Sequence, residues 1–380
     1  MTPLLLLFTL AFLVSVDLRI LAPVLPSISA SLGTTHGAAG LAMTSYALAY
    51  GVGQLGYGLL SDRHGRVAVV RAAGLGWVLF TALSALATTT VAFVVIRLLA
   101  GACAGAVIPT TVVYIGDTYA YAERQAAIAR FSVVTSAGLA FSAAVGGTIA
   151  HFMSWRLMLI AYATLGLVPT LLMFRLPPAR PERAADAHSS GVRFVDFLLD
   201  PRARIVYLAI FAEGFLLWGG VTYLGGYAAH RLGINQLEVG LLLSLFGFGT
   251  MVGGIWMAPI RRRISESGLS WLGGALMAVA FLALIPATGK VVFATSMLVL
   301  GLGFVGLHTT LQLRGTDISS TARGKAFSLF AFFLFTGLSA GSAVLGRLVD
   351  RGADRGMLAF AGLGLAAVGV GTALAGRKHT

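Results

Sequence analysis

The sequence predicts an all-α membrane protein in which twelve transmembrane helices form two pseudo-symmetric six-helix halves. Hydrophobic residues make up 57% of the 380 residues, and charged residues make up 11%, about half the share that is usual in soluble domains. Apolar segments of spanning length recur along the chain, and one long polar stretch interrupts them near its middle. A chain of this composition belongs in a lipid bilayer.

Each predicted span has roughly the 20 apolar residues that a helix needs to cross the hydrocarbon core. The spans are expected at 3–24, 37–60, 68–89, 91–114, 132–150, 157–174, 204–226, 238–259, 269–287, 291–312, 326–346 and 357–376. The first lacks the basic start and the small-residue cleavage site of a secretory signal, so we interpret it as a membrane span.

The polar stretch between the sixth and seventh spans is rich in proline and arginine, and Pro177 and Pro178 stop any helix there. It divides the chain into two sets of six spans. We therefore predict an N-terminal half at 1–174, a cytoplasmic linker at 175–203 and a C-terminal half at 204–380.

Most of the 27 lysine and arginine residues fall in the loops that would be cytoplasmic if the N-terminus were inside. Because positively charged loops stay on the cytoplasmic side, both termini are predicted to be cytoplasmic, in a bacterial-type inner membrane. The same bias, with attraction to anionic lipids, explains the net charge of +13 without a nucleic-acid partner.

Several activities lack the motifs that they need. Cys103 is the one cysteine, the histidines are scattered, and no phosphate-binding loop is present, so neither a metal nor another cofactor is expected. No nucleophile and base form a recognisable motif, which argues against a membrane enzyme. The favoured interpretation is a monomeric secondary transporter of small molecules, and a signalling or assembly protein with the same fold stays open.

Internal repetition supports the division into halves. A shift of 196 residues superimposes the glycines of span 2 on those of span 8, and a shift of 199 superimposes span 5 on span 11. Transporters are commonly built from such repeats, with substrate bound between them. The shift of 196 also places Asp17 on Glu213, so each half offers one carboxylate at the same position of its first span.

Ionisable residues inside spans are costly in lipid and normally face a cavity or a partner. We predict that Asp17 and Glu213 carry coupling protons, because a partly desolvated carboxylate can load a proton on one side and release it on the other. For Asp17 a static ion pair with Arg97 remains the second interpretation. Arg19 points about 200° away from Asp17 on a helix, so we interpret it as an interfacial residue or a contact to a neighbouring span rather than as a substrate ligand.

Polar and aromatic residues near mid-span predict a substrate cavity formed by Tyr46, Tyr50, Gln54, Trp218 and His308. The first three share one helix face because they are four residues apart. Trp218 equally suits the aromatic belt at the membrane surface, and His308 equally suits a hydrogen bond between helices. Spans 3, 6, 9 and 12 have no acidic or histidine residue in their interiors and are predicted to face lipid.

A loop with charged residues and glycine follows span 2. It reads Gly58-Leu-Leu-Ser-Asp62-Arg63-His-Gly65-Arg66 and resembles the loop signature of the major facilitator superfamily, with Val67 in place of a basic last residue. We predict that this loop acts as a conformational latch rather than as a substrate site, together with an acid at the inner end of span 4. The predicted latch residues are Gly58, Asp62, Arg63, Gly65, Arg66 and Asp117.

Three further patterns extend the resemblance over most of the chain. They are Asp17 followed by two prolines in span 1, Arg97-Leu-Leu-Ala-Gly101 in span 4 and Trp155-Arg156 before span 6. Together they resemble the twelve-span drug:proton antiporters. Two features depart from that pattern: Ala100 replaces a glutamine, and Ser142-Ala143-Ala-Val-Gly146-Gly147 lacks the usual Gly-Pro of span 5.

The resemblance implies the major facilitator fold, with a cavity between spans 1, 2, 4 and 5 of the first half and spans 7, 8, 10 and 11 of the second. It further implies proton-coupled efflux of small lipophilic or amphiphilic molecules by alternating access. A proton-coupled transporter of a polar metabolite such as a sugar, an amino acid or a siderophore remains the alternative.

Overall fold

The computed structural model describes residues 3–119, 121–175, 194–261, 263–319 and 322–377. Eleven helices in this part of the chain are long and apolar enough to cross a membrane. The twelfth span, His36–His64, has 29 residues, or about 44 Å of helix, and is less apolar because it carries glycine, tyrosine and glutamine residues. The predicted all-α membrane fold is thus confirmed.

The helix bounds extend most predicted spans into the membrane surface. Spans 1 to 6 are Pro3–Asp17 with its continuation Leu25–Ser31, His36–His64, Arg66–Ser84, Thr90–Thr118, Tyr121–Phe152 and Trp155–Met173. Spans 7 to 12 are Pro201–Leu232, Gln236–Arg261, Glu266–Leu284, Lys290–Asp317, Arg323–Asp350 and Asp354–Arg377.

Short polar side chains begin many of these helices. Thr35, Thr89, Ser154 and Ser265 each accept a hydrogen bond from the backbone N–H three residues further on. Between spans 2 and 3, Gly65 adopts φ +89°, which other residues rarely adopt. The charged loop is therefore a single tight turn, and its side chains stay close together.

The predicted linker is only partly described, because residues 176–193 lie outside the described residues. Its last part is helical rather than extended: Phe194–Leu199 forms a short helix, and span 7 begins at Pro201 instead of 204. The reason is local. The Asp200 side chain accepts a hydrogen bond from the Arg202 N–H at 2.8 Å, and Pro201 occupies the first turn, where no N–H is needed.

Equivalent glycines make equivalent contacts in the two halves. A Cβ atom on Gly105 would lie 2.7 Å from the carbonyl oxygen of Tyr50, and one on Gly301 would lie 2.2 Å from that of Phe246. Both pairs are related by the shift of 196 residues. Small residues allow such close helix approach in membranes, so the repeat seen in the sequence is a repeat of packing.

Twelve crossings bring Pro3 and Arg377 to the same face of the membrane, which we call the terminal side. The other face is the opposite side. The halves meet where span 2 packs on span 11 and where span 5 packs on span 8. Spans 3, 6, 9 and 12 pack chiefly within their own half, as expected of the outer positions.

The contacts between halves form a seam that is concentrated toward the opposite side. In span 2, the Thr35 hydroxyl and the Gly37 N–H donate hydrogen bonds to Asp350 at 2.8 and 2.7 Å. The Ser339 hydroxyl donates one to the Thr44 carbonyl at 3.0 Å. The seam continues along span 2 to Gly51, where a Cβ would meet Phe335.

Between spans 5 and 8 the two halves make close backbone contacts at glycine residues. A Cβ on Gly147 would lie 2.4 Å from the Gln236 carbonyl oxygen, and one on Gly247 would lie 2.4 Å from Ala140. Of the Gly146-Gly147 pair that survives in span 5, Gly147 therefore allows the halves to touch. The bundle is closed on the opposite side.

Candidate functional site

Asp17 ends the first segment of span 1 and lies in a buried cluster with Arg97 and Trp77. Arg97 Nη2 donates to Asp17 Oδ1 at 3.0 Å, and Nη1 donates to Oδ2 at 3.3 Å. The Trp77 indole Nε1 donates to Oδ2 at 2.7 Å. The Tyr46 ring centre lies 4.3 Å from the guanidinium carbon. With side chains 0% and 1% exposed, Asp17 and Arg97 compensate each other out of contact with water, which is the geometry of the static pair.

Glu213 ends the first α-helical segment of span 7, and its carboxylate has a different environment. Its Oε2 atom lies 3.0 Å from His308 Nδ1 of span 10. Its Oε1 atom is buried and has no hydrogen-bond partner in the described part of the chain. The Glu213 side chain is fully buried, whereas that of His308 is 16% exposed. The histidine therefore connects the carboxylate to accessible space.

Immediately after Glu213 the helix widens into one π turn, Gly214–Trp218. Two glycines bracket it and pack on span 11: a Cβ on Gly214 would lie 2.3 Å from the Leu334 carbonyl oxygen, and Gly219 is equally tight against Gly341. Such turns are often found at functional sites because they re-aim side chains. Here Glu213 and Trp218 are both buried in the interior.

Trp218 belongs to an aromatic cluster with Phe246 and Phe304. The ring centres of Trp218 lie 5.1 and 5.2 Å from these two, and Phe304 stacks on His308 at 4.5 Å. Trp218 is 3% exposed, so it is an interior residue here and not a belt residue. The Arg19 guanidinium carbon lies 3.2 Å above its ring centre, which makes Arg19 a contact between the halves.

The structure divides the predicted cavity residues between two places. Tyr46 covers the Asp17 cluster and Tyr50 lies in the seam, where it meets Phe335 edge-on at 4.8 Å. Both tyrosines are 1% exposed, so neither forms an open surface here. Gln54 is half-buried and hydrogen-bonds to Tyr50. Trp218 and His308 lie with Glu213 instead.

The predicted latch residues form a compact network on the terminal side. Arg66 is its centre: Nε donates to Asp117 Oδ2 at 2.8 Å, Nη1 donates to Ser61 Oγ at 2.7 Å, and Nη1 forms an ion pair with Asp62. Arg66 is buried while Arg63 is exposed, and Gly58 lies within the helix of span 2. All these partners belong to the first half, and the contacts hold spans 2, 3 and 4 together.

A second ion pair, missed in the sequence, occupies the matching place in the other half. Arg314 at the end of span 10 donates to Glu266 at the start of span 9 at 2.5 Å, and to the Thr372 carbonyl at 2.7 Å. Relative to Arg66 and Asp117, the acid and the base have exchanged spans. The equivalent loop of the second half offers no acid, so a comparison of the two loops does not predict this pair. The opposite charges at the start of span 9 and at the end of span 10 could have predicted it.

Arg156 and Trp155, which resembled a motif between spans 5 and 6, have a structural role. Arg156 Nη1 donates to the carbonyl oxygens of Ala85 and Ala87 at 2.6 and 2.7 Å, which satisfies the end of span 3. Trp155 packs edge-on against Phe93. In the described residues, no group of three or more potential metal ligands occurs.

Two repeated six-helix halves that meet along spans 2, 5, 8 and 11, each with a buried carboxylate in its first span, are the architecture of a membrane transporter. Residues 7–342 match the Major Facilitator Superfamily. The chain belongs to this family, whose members are transporters and not enzymes.

Relatives and solved structures agree on the fold and differ in substrate. The chain is 27% identical to the chloramphenicol resistance protein of Pseudomonas aeruginosa, over 83% of this chain and 78% of that protein. It is 25% identical to the probable L-galactonate transporter of Escherichia coli, over 92% and 83%. A bacterial homologue of the human lysosomal transporter Spinster, in an inward-facing and occupied conformation, superimposes with a TM-score of 0.83 at 16% identity, covering 98% and 96%.

Proposed function

We propose that the protein is a proton-coupled secondary transporter that exports small lipophilic or amphiphilic molecules by alternating access. The observation that carries this proposal is the buried Glu213 carboxylate, with one oxygen bonded to His308 and the other without a partner. A buried carboxylate in this state gains from binding a proton, because neutralisation removes an uncompensated charge from the membrane interior.

The two carboxylates then have different roles. Asp17 accepts three hydrogen bonds on its two oxygens, two of them from Arg97, so it holds spans 1, 3 and 4 together. Glu213 has only His308, whose own charge depends on protonation. The proton that reaches Glu213 through His308 couples to the movement of span 7 against span 11.

Alternating access requires the seam to open. The structure is closed on the opposite side, and we propose that this is the inward-facing state, with both termini cytoplasmic in a bacterial-type inner membrane rich in anionic lipids. The protein works as a monomer, and residues 175–203 connect the halves. Rocking of one half on the other would break the contacts near Thr35 and Gly147 and open the path outward.

The aromatic cluster favours an amphiphilic substrate. Trp218, Phe246 and Phe304 form an apolar wall beside the ionisable Glu213 and His308. The likeness to a chloramphenicol resistance protein favours the same class, whereas the likeness to a probable galactonate transporter favours the alternative of a polar metabolite. Purified protein in liposomes tests both: a pH gradient should drive an amphiphilic molecule such as 4-phenylbutyrate, and not galactonate, against its concentration gradient, to a level above that in protein-free liposomes.

The latch network provides one prediction. Asp62→Asn should slow transport about tenfold, the equivalent of roughly 1.4 kcal/mol, because it removes one anion that holds Arg66. Substrate affinity should stay within about twofold, since the network lies outside the cavity. Flux and equilibrium binding in the same preparation measure the two effects.

Arg63→Gln is the matched control, because Arg63 is exposed in the same turn. It should leave flux nearly unchanged. A large loss of binding in Asp62→Asn with normal conformational exchange would contradict a latch.

The seam provides another prediction. Gly147→Val should hold the opposite side open, because a Cβ would lie 2.4 Å from the Gln236 carbonyl oxygen. Ser339→Cys, on a Cys103→Ser background, reports this opening, since position 339 is 3% exposed in the closed seam. An impermeant maleimide added on the opposite side should label it about tenfold faster when Gly147 is replaced.

The control for this experiment is Gly56→Val, since Gly56 has nothing within 4 Å of its Cβ position. Labelling of Ser339→Cys that is equal in the parent, Gly147→Val and Gly56→Val proteins would mean that the glycine contact does not close the seam.

A further inference from the structure

We propose that Arg19, stacked on Trp218, binds the anionic group of the substrate, so that the transported molecule is an organic acid with an apolar body. This inference rests on the transport function proposed above and specifies its substrate class. Arg19 is a cation for which the described residues provide no counter-ion.

Arg19 is the unusual charge of the bundle. No carboxylate in the described part of the chain forms an ion pair with it, and its Nε atom is buried without a hydrogen-bond partner. The other deeply placed arginine, Arg97, pairs with Asp17 through both of its Nη atoms, although its Nε atom is likewise buried without a hydrogen-bond partner in the described residues. An uncompensated cation inside a membrane protein is expensive unless water or a ligand completes it.

The backbone fixes where this charge lies. Arg19 falls in the break between Asp17 and the turn Ala22–Val24. A Cβ on Gly146 would lie 2.2 Å from the Ile20 carbonyl oxygen, and one on Gly225 would lie 2.6 Å from that of Ala22. Spans 5 and 7 thus clamp the segment directly after Arg19. The guanidinium is held on the terminal side of this closure, at the inner end of the seam.

The geometry of the stack leaves the charge available. The Arg19 guanidinium carbon lies 3.2 Å from the centre of the Trp218 ring, within cation–π distance. A planar guanidinium presents N–H donors that match the two oxygens of a carboxylate. Arg19 as a residue is half-buried, and its Nε atom is buried. Trp218 orients the Arg19 guanidinium without neutralising its charge.

The surroundings identify the rest of the ligand. Trp218 continues into Phe246 and Phe304, whose ring centres are 5.7 Å apart, and Phe304 leads to His308. A molecule with its anion on Arg19 would lay an apolar body along these rings toward the proton site at Glu213. A neutral amphiphile would leave the Arg19 charge without a counter-ion.

The alternative role for Arg19 is purely structural: its contact with Trp218 would hold the two halves together. A structural contact would not distinguish an acid from its neutral amide, whereas an anion-binding site must. Matched pairs of ligands therefore separate the two roles, independently of stability.

The test is isothermal titration calorimetry on the purified full-length protein with three pairs: benzoate and benzamide, 4-phenylbutyrate and 4-phenylbutyramide, and octanoate and octanamide. At least one acid should bind about tenfold or more tightly than its amide, the gain expected for a charge-assisted pair. Arg19→Gln should abolish that preference, and Arg19→Lys should retain part of it. Trp218→Leu should weaken both, and the acid more than the amide, because it removes the ring that orients Arg19. Lys290→Gln, which removes an exposed cation, is the control.

Equal binding of every acid and its amide by the wild-type protein would overturn the proposal, as would an unchanged preference in Arg19→Gln. If Arg19→Gln does not fold, the wild-type comparison and Arg19→Lys decide. The measurement is made at equilibrium without a pH gradient. Its outcome is therefore independent of proton coupling, which the Glu213 variants test.

Discussion

Replacement of Glu213 by glutamine should abolish transport driven by a pH gradient while leaving exchange of substrate across the membrane intact. The neutral amide mimics the protonated carboxylate, so the halves can still interconvert with substrate bound, but the cycle no longer needs a proton. We expect uphill flux to fall by about two orders of magnitude and counterflow to change by less than about threefold. Proteoliposomes prepared once and assayed in both modes provide the measurement.

Glu238→Gln is the matched control. Glu238 is a carboxylate of the same type, at the exposed start of span 8, where it pairs with Lys290 at 2.5 Å. A surface pair of this kind contributes little, so flux should be nearly unchanged. His308→Asn should slow pH-driven flux without abolishing it, because it removes the connection to Glu213 and not the proton site. Undiminished uphill transport by Glu213→Gln would remove Glu213 from the coupling mechanism.

Replacement of Asp17 by asparagine should instead reduce the stability of the protein. It leaves Arg97 buried and uncompensated, and loss of one partner of such a pair costs about 3–5 kcal/mol. The apparent melting temperature in detergent should fall by more than about 5 °C, and the yield of folded protein should fall with it. Whatever protein folds should keep its pH-driven flux per molecule.

Two comparisons sharpen this experiment. The double variant Asp17→Leu with Arg97→Met removes both charges and should recover part of the lost stability, because no unpaired charge remains. Trp77→Phe should cost less, since it removes one hydrogen bond of the carboxylate and keeps the ion pair. A stable Asp17→Asn protein without uphill transport would show that Asp17 carries a proton, the first of our two interpretations of this residue.

Much of the fold followed from the sequence because the membrane leaves few alternatives. Composition, span length and the repeat were sufficient for an all-α bundle of twelve helices. The pairing of Arg66 with Asp117 was also foreseen, since both flank spans on the same face. The short helix Phe194–Leu199 and the start of span 7 at Pro201 were not, because the N-cap of span 7 is a single aspartate, Asp200, within a stretch rich in arginine.

The site was less predictable than the fold. The equivalence of Asp17 and Glu213 suggested equal roles, yet their environments differ: Asp17 is met by Trp77 from a span with no acidic residue, and Glu213 by His308, 95 residues further along the chain. Trp218, which Arg19 contacts, is the last residue of a π turn, and no residue pattern predicted that turn. Partners of this kind are set by helix rotation and register, which a hydropathy pattern leaves undetermined.

The sparse seam between the halves has an energetic consequence. Its hydrogen bonds, such as those of Thr35 and Gly37 to Asp350 and of Ser339 to Thr44, are each worth about 0.6–1.5 kcal/mol net. The contacts at Gly147 and Gly247 add close packing, and the two helices can separate there without withdrawing a glycine side chain. The closed state is then favoured by only a few kcal/mol. A difference of two pH units supplies about 2.7 kcal/mol per proton, which is of the same size, so the coupling proposed above needs no more than one proton per cycle to open the seam.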